Sequence, residues 1–316
     1  MPQPALDQAD DQADHPSDPD GPADRSQVLP LDTTCGHLIR RAQQVHTALW
    51  SAELNGDLTG PQYALLSALS QEAGLDQRSA GRLASLDKST TADVVARLER
   101  NGWVSRDRDP ADGRRNTLSL TRVARAALVD VTARVQIVQR RLLEPLDQAG
   151  RAAFVQLLGR VAYGGTPAGD DRGDEALVLP LSTTPGHLVR RAEQVHATLW
   201  AGHVADRVTP SQYALLAALA ASPDIDQTAA GEMASLDKSS TADIVGRLVR
   251  RDWIVSTRDP ADGRRKLLAL SPTAVAGLAT VTPAVRSVQR ELLAPLPVAE
   301  QDDLVELLHR VAYQVG

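Results

Sequence analysis

Apolar side chains recur at helical spacing from Thr34 to Leu54, where Leu38, Ala42, Val45 and Leu49 line one stripe and His37, Arg40, Arg41, Gln44 and Ala48 lie beside it. Thr59-Gly60-Pro61-Gln62 has the form of a capping box, with Gln62 reaching back to the Thr59 amide, and opens a helix over about 60–71. Thr209-Pro210-Ser211-Gln212 repeats it, with Pro at the first helical position, where an amide would find no partner. Asp76 and Asp226 cap a short helix running to about Leu83 in the first copy, and Asp87 and Asp237 cap a fourth over 88–100 and 238–250. The buried stripe of this fourth helix is Val94, Val95 and Leu98, matched by Ile244, Val245 and Leu248. Asn101-Gly102 signals a left-handed helix end, whereas Arg251-Asp252 in the second copy predicts a different ending. Period-two alternation predicts strands over Trp103–Asp107 and Asn116–Leu120, joined by a Pro/Gly-bearing turn over Arg108–Arg115. Thr121 and Ser271 then cap long helices to about Leu143 and Leu293, Pro145 and Pro295 break them, and final helices end near Tyr163 and Tyr313.

The two sets of elements are one unit written twice. Leu29-Pro30-Leu31 returns as Leu179-Pro180-Leu181, Gly36-His37-Leu38 as Gly186-His187-Leu188, and Asp109 through Arg115 as Asp259 through Arg265, always 150 residues later. All four Trp fall into pairs at this offset (Trp50 with Trp200, Trp103 with Trp253), as do all four Tyr (Tyr63 with Tyr213, Tyr163 with Tyr313). So long a register without insertion means a duplicated domain, not a solenoid repeat. The expected organisation is an acidic, disordered tail over 1–27, a first domain over 28–163, a Gly/Pro-rich acidic linker over 164–177 and a second domain over 178–316.

The formal net charge of −6 argues against a nucleic-acid partner until its distribution is considered. Residues 1–24 hold seven aspartates and no Lys or Arg, so without them the charge is +1, and without the acidic run from Asp170 to Glu175 it is +4. Local basic patches, not the pI, set phosphate affinity. No apolar run spans a bilayer and the N-terminus lacks the pattern of a signal peptide, so a cytoplasmic location is expected. One cysteine, Cys35, excludes an intramolecular disulfide and a cysteine metal cluster. Its counterpart is Pro185, which leaves it a redox-sensor candidate without a partner thiol in the chain, or an inert residue. No phosphate loop, metal cluster or activated nucleophile suggests an enzyme, and no cofactor is implied.

Leu86-Asp87-Lys88-Ser89-Thr90, the arginine-bearing helix after it, the turn Arg108 through Arg115 and Leu118-Ser119-Leu120-Thr121 together resemble the recognition helix and wing of the MarR family (multiple-antibiotic-resistance regulators). Asp237-Lys238-Ser239-Ser240 and Arg258 through Arg265 repeat the resemblance. It implies a mostly α fold with small β wings: two tandem winged helix-turn-helix domains forming an intrachain pseudo-dimer, since family members work as homodimers built through their terminal helices. Lys88, Ser89, Thr90, Thr91, Lys238, Ser239, Ser240 and Thr241 would then start the helices that enter the major groove. Arg114, Arg115, Arg264 and Arg265 would reach a narrow minor groove. A dimeric reader places its helices about 34 Å apart, so one chain would cover one pseudo-palindrome. Glu99 against Val249, and Asn101 against Arg251, let the half-sites differ. The plain alternative, a helix cap and a solvated Arg pair, is weakened by the recurrence of both elements in order in two copies.

The family resemblance also implies a small-molecule effector, often an aromatic acid, held near the first, second and fifth helices. His37, Arg40, Arg41, His46, Trp50 and Tyr63, with His187, Arg190, Arg191, His196, Trp200 and Tyr213, have the right chemistry: a guanidinium clamps the carboxylate and an aromatic side chain covers the ring. The competing reading makes these aromatics core and turns the arginines to solvent or to the partner repeat. A ligand-binding or protein-interaction module of anti-repressor type, without DNA binding, is the remaining alternative for the whole chain. It predicts damaged recognition elements in one copy, yet both keep their Lys and wing Arg residues.

Overall fold

A computed structural model describes residues 28–72, 74–108, 116–165, 177–260, 262–263 and 265–314. The acidic tail, most of the linker and the tip of the first wing, with Arg114 and Arg115, lie outside the described residues, as does Arg264. The first repeat comprises α1 (Cys35–Leu54), α2 (Gly60–Gln71), α3 (Gln77–Leu83), α4 (Lys88–Arg100), β1 (Val104–Arg108), β2 (Asn116–Leu120), α5 (Arg122–Leu142) and α6 (Gln148–Tyr163). The second comprises α7 (Pro185–His203), α8 (Pro210–Ala221), β3 (Ile225–Asp226), α9 (Gln227–Met233), α10 (Lys238–Arg250), β4 (Ile254–Arg258), β5 (Lys266–Leu270), α11 (Pro272–Leu293) and α12 (Val298–Ala312). The element order expected from the sequence is the one found, with β3 as the addition.

Local side chains begin most of these helices. Thr59 and Thr209 form complete capping boxes with Gln62 and Gln212. Asp76, Asp87, Thr121 and Asp147 each accept the amide three residues on, satisfying donors that the first turn leaves free. α4 and α10 end alike, contrary to the sequence expectation. The Trp103 amide donates to Leu98 O and Gly102 to Glu99 O, and the Trp253 amide donates to Leu248 O and Asp252 to Val249 O. Gly102 has φ +70° and Asp252 has φ +56°, so an aspartate takes the left-handed position that glycine fills in the first repeat. Each wing is an antiparallel pair, β1 on β2 from Val104↔Leu120 to Arg108↔Asn116, and β4 on β5 from Ile254↔Leu270 to Arg258↔Lys266. β3 adds to β5 through Ile225↔Leu268.

The repeats are joined by a core of their own. Leu38, Ile39 and Ala42 of α1, Phe154, Leu158 and Val161 of α6, Leu188 and Ala192 of α7, and Leu304, Leu308 and Val311 of α12 form one buried cluster. Cys35 lies in it, 1% exposed, and burial pushes its thiol up to about 12, which removes it as a nucleophile near neutral pH. The segments preceding α1 and α7 are exchanged. Leu177, Val178 and Leu181 belong to the core of the first repeat, whereas Val28, Leu29 and Leu31 pack on that of the second. Tyr63 Oη accepts the Leu179 amide at 3.0 Å and Tyr213 Oη accepts the Leu29 amide at 3.2 Å.

Candidate functional site

Two kinds of site emerge. The first is the exposed start of α4 and α10. Lys88, Ser89, Lys238 and Ser239 are exposed, and Thr90 and Ser240 are partly so. The Asp87 carboxylate accepts from the Ser89 and Thr90 hydroxyls and the Thr90 amide, which holds it well below the usual carboxylate range. Asp237 does the same with the hydroxyl and amide of Ser240. The hydroxyls are thereby aligned at the helix start.

Thr91 and Thr241 depart from the sequence expectation. They are 3% and 2% exposed, each hydroxyl donates to the carbonyl of the capping Asp, and a methyl group at Gly81 or Gly231 would lie only 2.3 or 2.5 Å from that hydroxyl. These threonines lock α3 to α4 and α9 to α10, so no base edge reaches them. Arg265 pairs with Asp226, the cap of α9, and sits 3.8 Å from Asp259, so the wing root is tied to the helix-turn-helix. Asp243 pairs with Arg247 at 2.8 Å, which offsets its charge beside the recognition surface.

The second site lies between the repeats. A cavity of about 290 Å³ is walled by His46, Trp50 and Tyr63 of the first repeat and by His187 and Arg190 of the second, with Val135, Gln139 and Leu181 also lining it. Its mate, walled by His196, Trp200 and Tyr213 of the second repeat and His37 and Arg40 of the first, encloses about 20 Å³. The twelve residues singled out in the sequence are thus regrouped: α1 supplies the aromatic wall of one cavity and the arginine of the other. Arg41 and Arg191 line neither. Arg41 donates to Ala312 O and Ser235 Oγ and lies 4.1 Å over the Tyr313 ring, whereas Arg191 donates to Ala162 O and Ser85 Oγ and lies 4.2 Å over Tyr163. They clasp the terminal helices.

In the larger cavity the rings are fixed. Trp50 Nε1 donates to Leu58 O at 2.7 Å, Tyr63 Oη meets Thr132 Oγ1 at 3.0 Å, and His46, Trp50 and Tyr63 stack edge to face. Burial, then Arg190, lowers the His46 pKa to about 4, so its ring is neutral, and its Nε2 has no partner. Arg190 points the other way as well. Its guanidinium donates to Ser85 O at 2.7 Å, to Ala84 O at 2.6 Å and to His187 Nδ1 at 3.1 Å. Those carbonyls belong to the turn between α3 and α4, and Arg40 makes the equivalent bonds to Ser235 O and Ala234 O. Gln44 and Gln194, not among the twelve candidates, join them at 2.9 Å, one helical turn beyond each arginine on the same face.

Comparison with known proteins fits this arrangement repeat by repeat. MarR family models match residues 58–115 and 208–265. Transcriptional regulator HosA of Escherichia coli O111:H- is 35% identical over 125 residues, 40% of this chain and 92% of HosA. This chain belongs to the MarR family. The HTH-type transcriptional repressor NicR of Pseudomonas putida is 28% identical over 135 residues, 42% of this chain and 85% of NicR. The PcaV transcriptional regulator of Streptomyces coelicolor, solved with its natural ligand, is 41% identical, covering 43% of this chain and 96% of PcaV with a TM-score of 0.41. With one model match in each repeat, this MarR-family regulator carries two such domains in tandem. Among the described residues no helix is long and apolar enough to cross a membrane, and no cluster of His, Cys, Asp or Glu has the makings of a metal site.

Proposed function

We propose that this chain represses transcription by gripping one pseudo-palindromic operator with both recognition helices and wings, and that an aromatic carboxylate in the larger cavity releases it. Support for the DNA face comes from the exposed Lys88 and Lys238 with aligned hydroxyls beside them. The core shared by α1, α6, α7 and α12 holds the two faces in one body, and a repressor stands among the relatives. The observation that carries the effector reading is the double engagement of Arg190, which borders the cavity and holds the turn of the first helix-turn-helix.

A guanidinium prefers a carboxylate to neutral carbonyls, because a charge-assisted, bidentate pair is roughly twice as strong. A ligand carboxylate at Arg190 therefore competes with Ala84 O and Ser85 O, while Trp50 and Tyr63 cover its ring and His46 Nε2 meets a ring hydroxyl. Ala84 O, left without this donor, costs about 1–3 kcal/mol, while Ser85 O keeps its bond from Gln194; that cost is the size of a typical allosteric coupling, about 1–3 kcal/mol. The ligand thereby favours a conformation in which α4 is displaced, and DNA affinity falls.

The test is fluorescence anisotropy on the duplex upstream of the protein's own coding region, with and without 4-hydroxybenzoate. Ligand should weaken binding at least tenfold. Replacing Arg114, Arg115, Arg264 and Arg265 with Ala should lower affinity and flatten the log–log salt dependence by up to about 0.9 per lost phosphate contact. An unchanged affinity and salt slope would refute the DNA-gripping role of the wings.

A further inference from the structure

The two cavities are related by the 150-residue offset, yet they differ more than tenfold in volume, about 290 Å³ against about 20 Å³. An apolar cavity of about 150 Å³ accommodates a benzene ring, and a water molecule's share of liquid is about 30 Å³. The larger cavity therefore takes a substituted ring, and the smaller takes a water at most. Their deep walls carry the same residue types: His, Trp and Tyr from one repeat, His and Arg from the other.

The difference is at the mouth. Gln43, Gly56 and Gly60 border the open cavity, and the positions 150 residues on are Glu193, Asp206 and Pro210. Two neutral, uncluttered positions have become carboxylates and a third has become a ring. Glu193 is partly buried, and burial pushes its carboxyl pKa up while Arg40 draws it partly back; burial likewise lowers the Arg40 pKa, and the Glu193 charge opposes that. Among the described residues no carboxylate acts on Arg190 in this way, and Gln43 holds the position that corresponds to Glu193. An anion approaching Arg40 meets a carboxylate already there, and like charges in a partly desolvated site repel strongly.

We propose that each chain takes one aromatic carboxylate, at Arg190, and that Glu193, Asp206 and Pro210 close the Arg40 cavity to it. The proposal rests on the effector reading above and adds its stoichiometry. Identical subunits of a homodimer cannot specialise in this way, since one sequence builds both sites. Fusion frees each copy to change alone. Ligand response then follows a single-site hyperbola, without the cooperativity that two linked sites allow.

Isothermal titration of the full chain with 4-hydroxybenzoate should give one site per chain. The Trp50→Phe chain should lose most of the ligand-induced change in tryptophan emission, and the Trp200→Phe chain should keep it. A triple variant, Glu193→Gln with Asp206→Gly and Pro210→Gly, puts these three residues of the open mouth at the closed cavity and should raise the stoichiometry from one to two. Two sites in the parent chain, equal dependence on both tryptophans, or a triple variant that stays at one would overturn the proposal while leaving the ligand class intact. No binding by the parent chain would remove the ligand class, and this proposal with it.

Discussion

Gly36 and Gly186 each lie under an imidazole of the opposite repeat. A methyl group at Gly186 would stand 2.1 Å from His46 Nε2, and one at Gly36 would stand 2.3 Å from His196 Nε2. The obstructing ring is buried and packed edge to face on Trp50, so its only free direction is into the cavity. Gly186→Ala is therefore expected to cost about 1–3 kcal/mol, in the range of overpacked cores. A lower urea midpoint at unchanged slope would show it. The displaced His46 ring should also weaken 4-hydroxybenzoate binding, a second readout that general destabilisation does not predict. Neither glycine's role was visible in the sequence: both are early in a helix, where nothing but the opposing repeat forbids a side chain. Asp252 was hidden for a related reason. Aspartate tolerates the left-handed region less well than glycine, but the amide bonds from Asp252 and Trp253 to the end of α10 over-determine its conformation.

At the scale of elements, local chemistry was legible and partnership was not. Thr59, Asp76, Asp87 and Thr121 announce the starts of α2, α3, α4 and α5 because a cap acts on the three residues that follow it. The pairing of α1 with α7 across the repeats is different in kind. Both helices carry the same His, Arg and Trp, so sequence alone cannot say whether Arg40 works with Trp50 or with Trp200. The shared core settles it, by laying α7 against the first helix-turn-helix and α1 against the second. Arg190 then acts as a tie from α7 to the end of α3, placing a cation at carbonyls the helix leaves unpaired. Arg190→Gln should cut operator affinity about tenfold without any ligand, equivalent to losing roughly 1.4 kcal/mol of net hydrogen bonding. It should abolish 4-hydroxybenzoate binding as well. The wing variant separates the two functions, losing DNA affinity while its titration with the ligand is unchanged.

For the whole molecule, the telling feature is that four imidazoles, His37, His46, His187 and His196, are buried where the repeats meet and arginines surround them. Desolvation is the leading cause of their shifts, followed by Arg40 and Arg41 at His37, Arg190 at His46, Arg190, Arg191 and His46 at His187, and Arg40 at His196. His46 and His196 fall to about 4 and His37 to about 3, from an ordinary 6.5, and His187 also lies well below it. Arg40 and Arg190 each donate to the Nδ1 of a neighbouring histidine, which fixes that nitrogen as an acceptor and the ring as neutral. Between pH 6.5 and 4 the unfolded chain thus binds protons that the folded chain refuses, and stability must fall as pH falls through this window. Each imidazole contributes up to about 1.4 kcal/mol per pH unit. Urea midpoints should therefore be flat above pH 7, drop steeply from 6.5 toward 4 as all four rings resist protonation, and go on falling toward 3 through His37. Replacing His187 with Gln should make this profile shallower. Because the strained groups all lie between the repeats, affinity for a full operator should decay over the same pH range, as the body that holds two recognition helices in register comes apart. A stability that stays level from pH 7 to 5 would mean that these rings are not buried as neutral species, and that the joint between the repeats is not the close-packed core derived above.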